Sequence, residues 1–139
     1  MTSDPSACAN MNIRRAARQI GQFFDDRMSG ADIRATQFSL LVLVGRHAPA
    51  PISHIAEAIK MERTTLTRNL HVLERQGMVE AQAGTDARMR LYSLTEQGKK
   101  AVQDTQSLWS EAQSDFLSRF GERRWEALRA ELKALEACL

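Results

Sequence analysis

Apolar side chains recur every third or fourth residue along almost the whole chain, and only between Val79 and Leu91 does the period shorten to two. There Val79, Ala81 and Ala83 alternate with Glu80 and Gln82, Gly84-Thr85-Asp86 has turn chemistry, and Met89 and Leu91 alternate with Arg88, Arg90 and Tyr92. A three-to-four period puts side chains on one face of a helix, and a two period puts them on one face of a strand. The chain is therefore expected to be mainly α with one small β-hairpin.

The helical stretches differ in how much of their surface is apolar. Ile13, Ala16, Ala17, Ile20, Phe23, Phe24 and Met28 predict a one-striped helix over Asn12–Met28, broken by Ser29-Gly30. A second helix, from a Thr36 cap to about His47, carries Phe38, Leu40, Leu41, Val42 and Val44 around most of its circumference and so reads as central, with Ala48-Pro49-Ala50-Pro51 ending it. A short helix capped by Ser53 holds Ile55, Ala56 and Ile59; a turn at Lys60-Met61 follows, then a longer helix from about Glu62 to Gln76. Gly77 suits the left-handed position that stops it. After the hairpin, Leu94-Thr95 opens a helix striped by Ala101, Val102, Thr105, Leu108, Trp109, Ala112 and Phe116. The last helix, after Gly121, places Trp125, Leu128, Leu132, Leu135 and Leu139 in a seam two heptads long, too short to be stable without partners.

Size and composition narrow the function classes. At 139 residues, 43% apolar and 26% charged, the chain is expected to be a single folded domain. Its longest apolar run, Leu40 to Val44, falls far short of the ~20 residues a membrane-spanning helix needs. Met1 to Asn10 has neither a basic start nor an apolar signal segment, so a cytoplasmic location is expected. Cys8 and Cys138 form no C-x-x-C pair, and His47, His54 and His71 show no metal-ligand spacing, so no metal or cofactor is expected. The G-x-G-x-x-G, P-loop, G-x-S-x-G and H-E-x-x-H patterns are all lacking, and the chain reads as a non-enzyme.

The order helix, tight turn, helix, hairpin is that of a winged helix-turn-helix, whose second helix enters the major groove of DNA while the hairpin reaches the flanking backbone. On that second helix Leu66, Leu70 and Leu73 share one side, which turns Thr64, Thr67, Arg68, His71 and Arg75 to the other. Arg68 has the chemistry for a bidentate bond to guanine O6 and N7, the threonines for a base edge, a phosphate or a thymine methyl, and His71 and Arg75 for the backbone. Arg63 and Thr65 complete the candidate set on this helix. Six basic and four acidic residues lie between Lys60 and Arg90, a modest excess that predicts a moderate salt dependence. A solvated helical face explains any one of these side chains equally well; their combination with a wing favours DNA. Two other classes stay open: a winged-helix module that binds proteins, and a thiol protein that consumes peroxide through Cys8.

Five segments, Ile33-Arg34-Ala35-Thr36-Gln37-Phe38, Ile55-Ala56-Glu57-Ala58, Glu62-Arg63-Thr64-Thr65-Leu66-Thr67-Arg68, Leu73-Glu74-Arg75-Gln76-Gly77 and Leu94-Thr95-Glu96-Gln97-Gly98-Lys99, resemble MarR-family transcriptional regulators in the same order along nearly the whole chain. The resemblance implies one domain over residues 1–139, with a winged lobe at about 33–95 and dimerisation helices at about 10–29 and 96–139. It also implies a homodimer on a pseudo-palindromic operator, acting as a repressor released by a small aromatic or phenolic effector or by oxidation. Within the family's wing pattern, Asp86-Ala87-Arg88 followed by Arg90 implies that Asp86 braces the hairpin while Arg88 and Arg90 meet DNA. Gly84, Thr85, Ala87 and Met89 stand where many relatives have proline or arginine, which implies weaker minor-groove contact. For sensing, Cys8 precedes Arg14, Arg15 and Arg18, whose charge favours a thiolate, and the implied dimer would bring it toward Cys138 of the partner subunit. Arg14, Arg18, Phe23, Phe38 and Trp109 are the candidates for an aromatic-acid pocket; core packing explains the three aromatic residues as well.

Overall fold

Gly77 shows how local sequence and backbone geometry agree in this chain. It adopts φ 74°, the Met78 N–H reaches back to the Leu73 carbonyl at 2.9 Å, and the Gly77 N–H to that of Glu74 at 3.0 Å. These two bonds satisfy carbonyls that a helix end leaves orphaned. They end α4 (Arg63–Arg75) and deliver the chain into β2 (Val79–Ala83). The computed structural model describes residues 4–86 and 88–139, so Ala87 of the wing motif lies outside the described residues.

Besides a 3-10 turn at Pro5–Ala7, the remaining elements are α1 (Ala9–Arg27), α2 (Ala35–His47), β1 (Ala50–Pro51), α3 (Ile52–Ile59), β3 (Arg90–Leu94), α5 (Glu96–Phe120) and α6 (Glu122–Ala137). The strands form one antiparallel sheet in the order β1-β3-β2, with Val79 opposite Leu94, Ala83 opposite Arg90, and Ala50 opposite Tyr92. The hairpin is thus as expected, but β1 is an addition. Ala48-Pro49-Ala50-Pro51 reads in the sequence only as a helix stop. Two residues carry no period, and a proline is tolerated here because it lies on a sheet edge.

Two helix starts also differ from the local reading. Thr36 and Ser53 lie inside their helices, because α2 begins at Ala35 and α3 at Ile52. The α2 start is capped from a distance: Asp25 Oδ1 on α1 accepts the Ala35 N–H at 3.0 Å, and Gln37 Oε1 accepts that of Arg34 at 3.1 Å. Pro51 precedes α3 with φ −71°, a geometry its ring presets. Lys60, at φ 53° and ψ 41°, ends α3 and makes the sharp turn into α4.

The core gathers under the winged lobe. Leu41, Val44, Ile55, Leu66 and Leu70 are 0% exposed, and Leu73, Val79, Phe38 and Tyr92 are buried around them. Each such side chain contributes about 1.5–3 kcal/mol by leaving water. As its apolar circumference predicts, α2 is central. By contrast α5 runs for 25 residues, ~37 Å at about 1.5 Å per residue, and buries only Gly98, Thr105 and Ala112. No residue of α1 or α6 is buried. These helices meet α5 at one end through an aromatic cluster, in which Phe116 packs edge-on against Phe23 at 6.3 Å and Trp125 at 5.3 Å. The Arg27 Nε donates to Asp115 beside it and fastens α1 to α5.

Candidate nucleic-acid interface

Burial of Leu66, Leu70 and Leu73 orients α4, leaving Arg63, Thr64, Thr65, Arg68, His71 and Arg75 exposed and Thr67 half-buried. The Thr67 Oγ1 donates to the Arg63 carbonyl at 2.7 Å, so its proton is committed within the helix and its lone pairs and methyl remain for a partner. Arg63, Thr67 and His71 share a groove of about 420 Å³ with Ile52 and Ser53 of α3 and with Asp86, Arg88 and Arg90 of the wing. The tight turn and the hairpin therefore bring residues from three separate stretches of sequence onto one basic surface.

The wing is held by its own turn chemistry. Gly84 donates its N–H to the Met89 carbonyl at 2.8 Å, and Met89 donates to the Asp86 carbonyl at 2.9 Å. The Asp86 Oδ1 accepts the Arg88 N–H at 3.1 Å, leaving the Arg88 side chain exposed at the tip. Arg90 is placed differently. Its Nη2 donates to Glu74 Oε1 on α4 at 2.9 Å, and its guanidinium lies 5.6 Å from the centre of the Tyr92 ring. Glu74 did not stand out in the sequence; the signal was its spacing, three residues beyond His71 and seven beyond Thr67 on one helical face.

A second feature hidden from sequence reasoning links this surface to the long helix. Thr95 Oγ1 donates to the Gly77 carbonyl at 2.5 Å and accepts the Gly98 N–H at 3.0 Å, capping α5 and tying it to the end of α4. The Thr95 N–H donates to the Met78 carbonyl at 3.1 Å. A Cβ on Gly98 would stand 2.0 Å from that same oxygen, so only glycine allows the approach. The Leu-Thr-x-x-Gly run is thus a joint between α4 and α5.

The other candidate residues fall in several places. Phe38 is buried against Trp109, with ring centres 5.9 Å apart. Phe23 lies beneath the Arg27 guanidinium, 3.5 Å from it, while Arg14 and Arg18 line a separate depression with Asn10 near the start of α1. That depression includes none of Phe23, Phe38 and Trp109 in its lining. Cys8, just before α1, and Cys138, just after α6, are both exposed. His54 Nε2 and His47 Nδ1 approach to 3.3 Å, but among the described residues no third His, Cys, Asp or Glu joins them in a metal-holding group. No helix among the described residues is long and apolar enough to cross a membrane.

Comparison with known proteins gives a consistent family. The family model for the MarR family matches residues 31–89, from just before α2 to the tip of the wing, ending ahead of β3. The transcriptional regulator MosR of M. tuberculosis, solved in complex with DNA, is 40% identical, covers 94% of this chain and 98% of its own, and superposes with a TM-score of 0.81. Among curated proteins, the HTH-type transcriptional regulator YwoH of Bacillus subtilis is 24% identical over 115 residues, 83% of this chain and 84% of that protein. BpsR of Bordetella bronchiseptica, whose DNA binding is regulated by 6-hydroxynicotinic acid, shares the fold at a TM-score of 0.84 with 15% identity, over 98% of each chain. With its core, wing and exposed α4 face in place, and with a relative this similar over its full length, the chain belongs to the MarR family of transcriptional regulators.

Proposed function

We propose that this regulator binds double-stranded DNA sequence-specifically as a homodimer, each winged lobe on one half of a pseudo-palindromic operator, and represses the genes it controls in the cytoplasm. The observation that carries this reading is the shared basic groove, where the α4 face meets the wing. Arg68 reads a base in the major groove, Thr64, Thr65 and Thr67 contact bases or phosphates, and Arg63, His71, Arg75, Arg88 and Arg90 hold the backbone. Asp86 shapes the wing tip that carries Arg88. The DNA-bound state of MosR supports the assignment of the partner.

The dimer rests on the unpartnered faces of the terminal helices. Met11, Ile13 and Ile20 on α1 and Leu128 on α6 are exposed apolar residues on helices of which no residue is fully buried in its own chain. A two-fold interface formed by α1, α5 and α6 would cover them. Such an arrangement makes residues 1–139 a single functional unit, with the lobe at 33–95 working at the ends of a helical base. Release by a small aromatic acid is favoured by the regulation of BpsR. Oxidation at Cys8 and Cys138 is the alternative trigger, since both thiols are exposed.

Fluorescence-anisotropy titration on DNA from upstream of the protein's own gene, with excess nonspecific competitor and with or without mild peroxide, tests the reading. Tight binding that survives competitor is expected. Binding that disappears under competitor would instead favour a protein-interaction module. Arg68→Ala is expected to cost about 1–3 kcal/mol on the best operator and to relax base preference at one position of each half-site. An unchanged affinity and preference would remove Arg68 from the interface.

A further inference from the structure

We propose that Glu74 is a built-in counter-charge at the DNA surface, which holds Arg90 in the unbound protein, competes with phosphate for it, and so limits binding to DNA of any sequence. The inference rests on the DNA-binding reading above and adds to it a residue that works against affinity.

Glu74 is one of the four acids between Lys60 and Arg90, and its carboxylate is bonded to a wing arginine. Oε1 takes the Arg90 Nη2 hydrogen bond at 2.9 Å, and Oε2 stands 3.8 Å from His71 Nδ1. The carboxylate therefore sits between two of the cationic or ionisable groups that line the groove. Its own helix and the sheet hold it from opposite sides: Glu74 lies in the last turn of α4, which ends at Arg75, and Arg90 opens β3, whose Tyr92 is buried in the core.

The contact has two opposed consequences. An arginine has five N–H donors in a fixed plane, and Glu74 engages a single nitrogen, so among the described residues Nε and Nη1 are left without a partner on a side chain that is 51% exposed. Glu74 thereby presents Arg90 outward in one orientation. It also places a negative charge within about one Debye length of every phosphate that Arg90 could touch. Nonspecific binding depends on neutralised phosphates and released counterions, and an arginine already shared with a carboxylate releases fewer of them. Specific binding adds base contacts and a fixed register, for which a pre-oriented Arg90 is an advantage. The net effect is to lower nonspecific affinity more than specific affinity, which widens the ratio between them.

The test measures the salt dependence of the full-length protein on a labelled duplex of unrelated sequence and on the operator. Glu74→Gln keeps the side-chain shape and removes the charge. It is expected to tighten binding to the unrelated duplex by about three- to tenfold and to steepen its log–log salt slope by up to ~0.9, with a smaller gain on the operator. In an Arg90→Ala background the same change is expected to leave the slope as it is. Glu74→Asp, which keeps the charge, is expected to leave nonspecific affinity near that of the wild type, and this variant carries the test if Glu74→Gln does not fold. Weaker binding to both duplexes with an unchanged slope would reduce Glu74 to a structural brace and overturn the inference. A wild-type protein with no salt-dependent DNA binding would overturn the DNA reading itself, whereas normal wild-type binding with an unresponsive Glu74→Gln would overturn only this one.

Discussion

The leucines of α4 and those of α6 have the same helical spacing and opposite fates. Leu66, Leu70 and Leu73 are at most 1% exposed, whereas α6 buries none of its leucines and Leu128 is 40% exposed. The difference lies in what the chain brings against each helix. α4 packs against α3 and β2, whereas the main contact of α6 among the described residues is with α5. An apolar stripe specifies that a partner is needed and says nothing of where it comes from. In the lobe the partner is local; at the termini the proposed partner is a second copy.

Substituting one leucine in each region is the most direct way to break this comparison. Leu70→Ala is expected to destabilise the fold by about 2–5 kcal/mol, because the site is fully enclosed and leaves a cavity. Chemical denaturation should register that loss at any protein concentration. A cost below about 1 kcal/mol would mean that the lobe core collapses around the gap and is not the rigid half of the molecule. Leu128→Asp is expected to leave the lobe folded but to convert the proposed dimer to monomer in sedimentation, with a thermal midpoint that no longer depends on concentration. A dimer that persists would place the interface elsewhere.

The smallest effect concerns the joint between the two regions. Hydrogen bonds from Arg27 first, and then from Arg119, hold the Asp115 carboxyl below its ordinary value of 3.8. A carboxylate whose folded value is depressed contributes stability above the unfolded value and loses it as pH falls through the folded one. The fastening of α1 to α5 is therefore expected to be intact at neutral pH and to weaken below about pH 4. Wild type and Asp115→Asn should differ slightly in thermal midpoint at pH 7, and the gap should close in acid. The pair is partly exposed, so solvent screening keeps the effect small. A gap that persists unchanged at low pH would show that the ion pair is not what fastens the helix.

Much of the winged lobe was legible because its signals are local. The Leu66-Leu70-Leu73 stripe marked the buried side of α4, and with it the exposed side that carries Arg68. Gly77 marked the helix end, and the shift to alternation at Val79 marked the hairpin. What escaped notice was made by contacts between distant residues. Asp25 caps α2 from another helix, so Thr36 looked like the cap although it lies inside. Ala50-Pro51 becomes a strand only because Leu91 and Tyr92 pass beside it. Glu74 meets Arg90 only because the hairpin folds back and sets that arginine against it.

The pocket candidates illustrate the same division. Phe23, Phe38 and Trp109 lie at helical spacings that fit core packing as well as ligand binding, and the structure packs Phe38 on Trp109 while leaving Phe23 with Phe116 and Arg27. The sequence by itself determined the elements, their order and the side each helix turns inward, because periodicity, caps and turn residues act over a few neighbouring positions. Only the tertiary structure decided which charges face one another across the wing, how the Thr95–Gly98 joint meets the end of α4, and which apolar faces were left without a partner. Those outcomes depend on packing between residues far apart in the chain, and no local pattern records it.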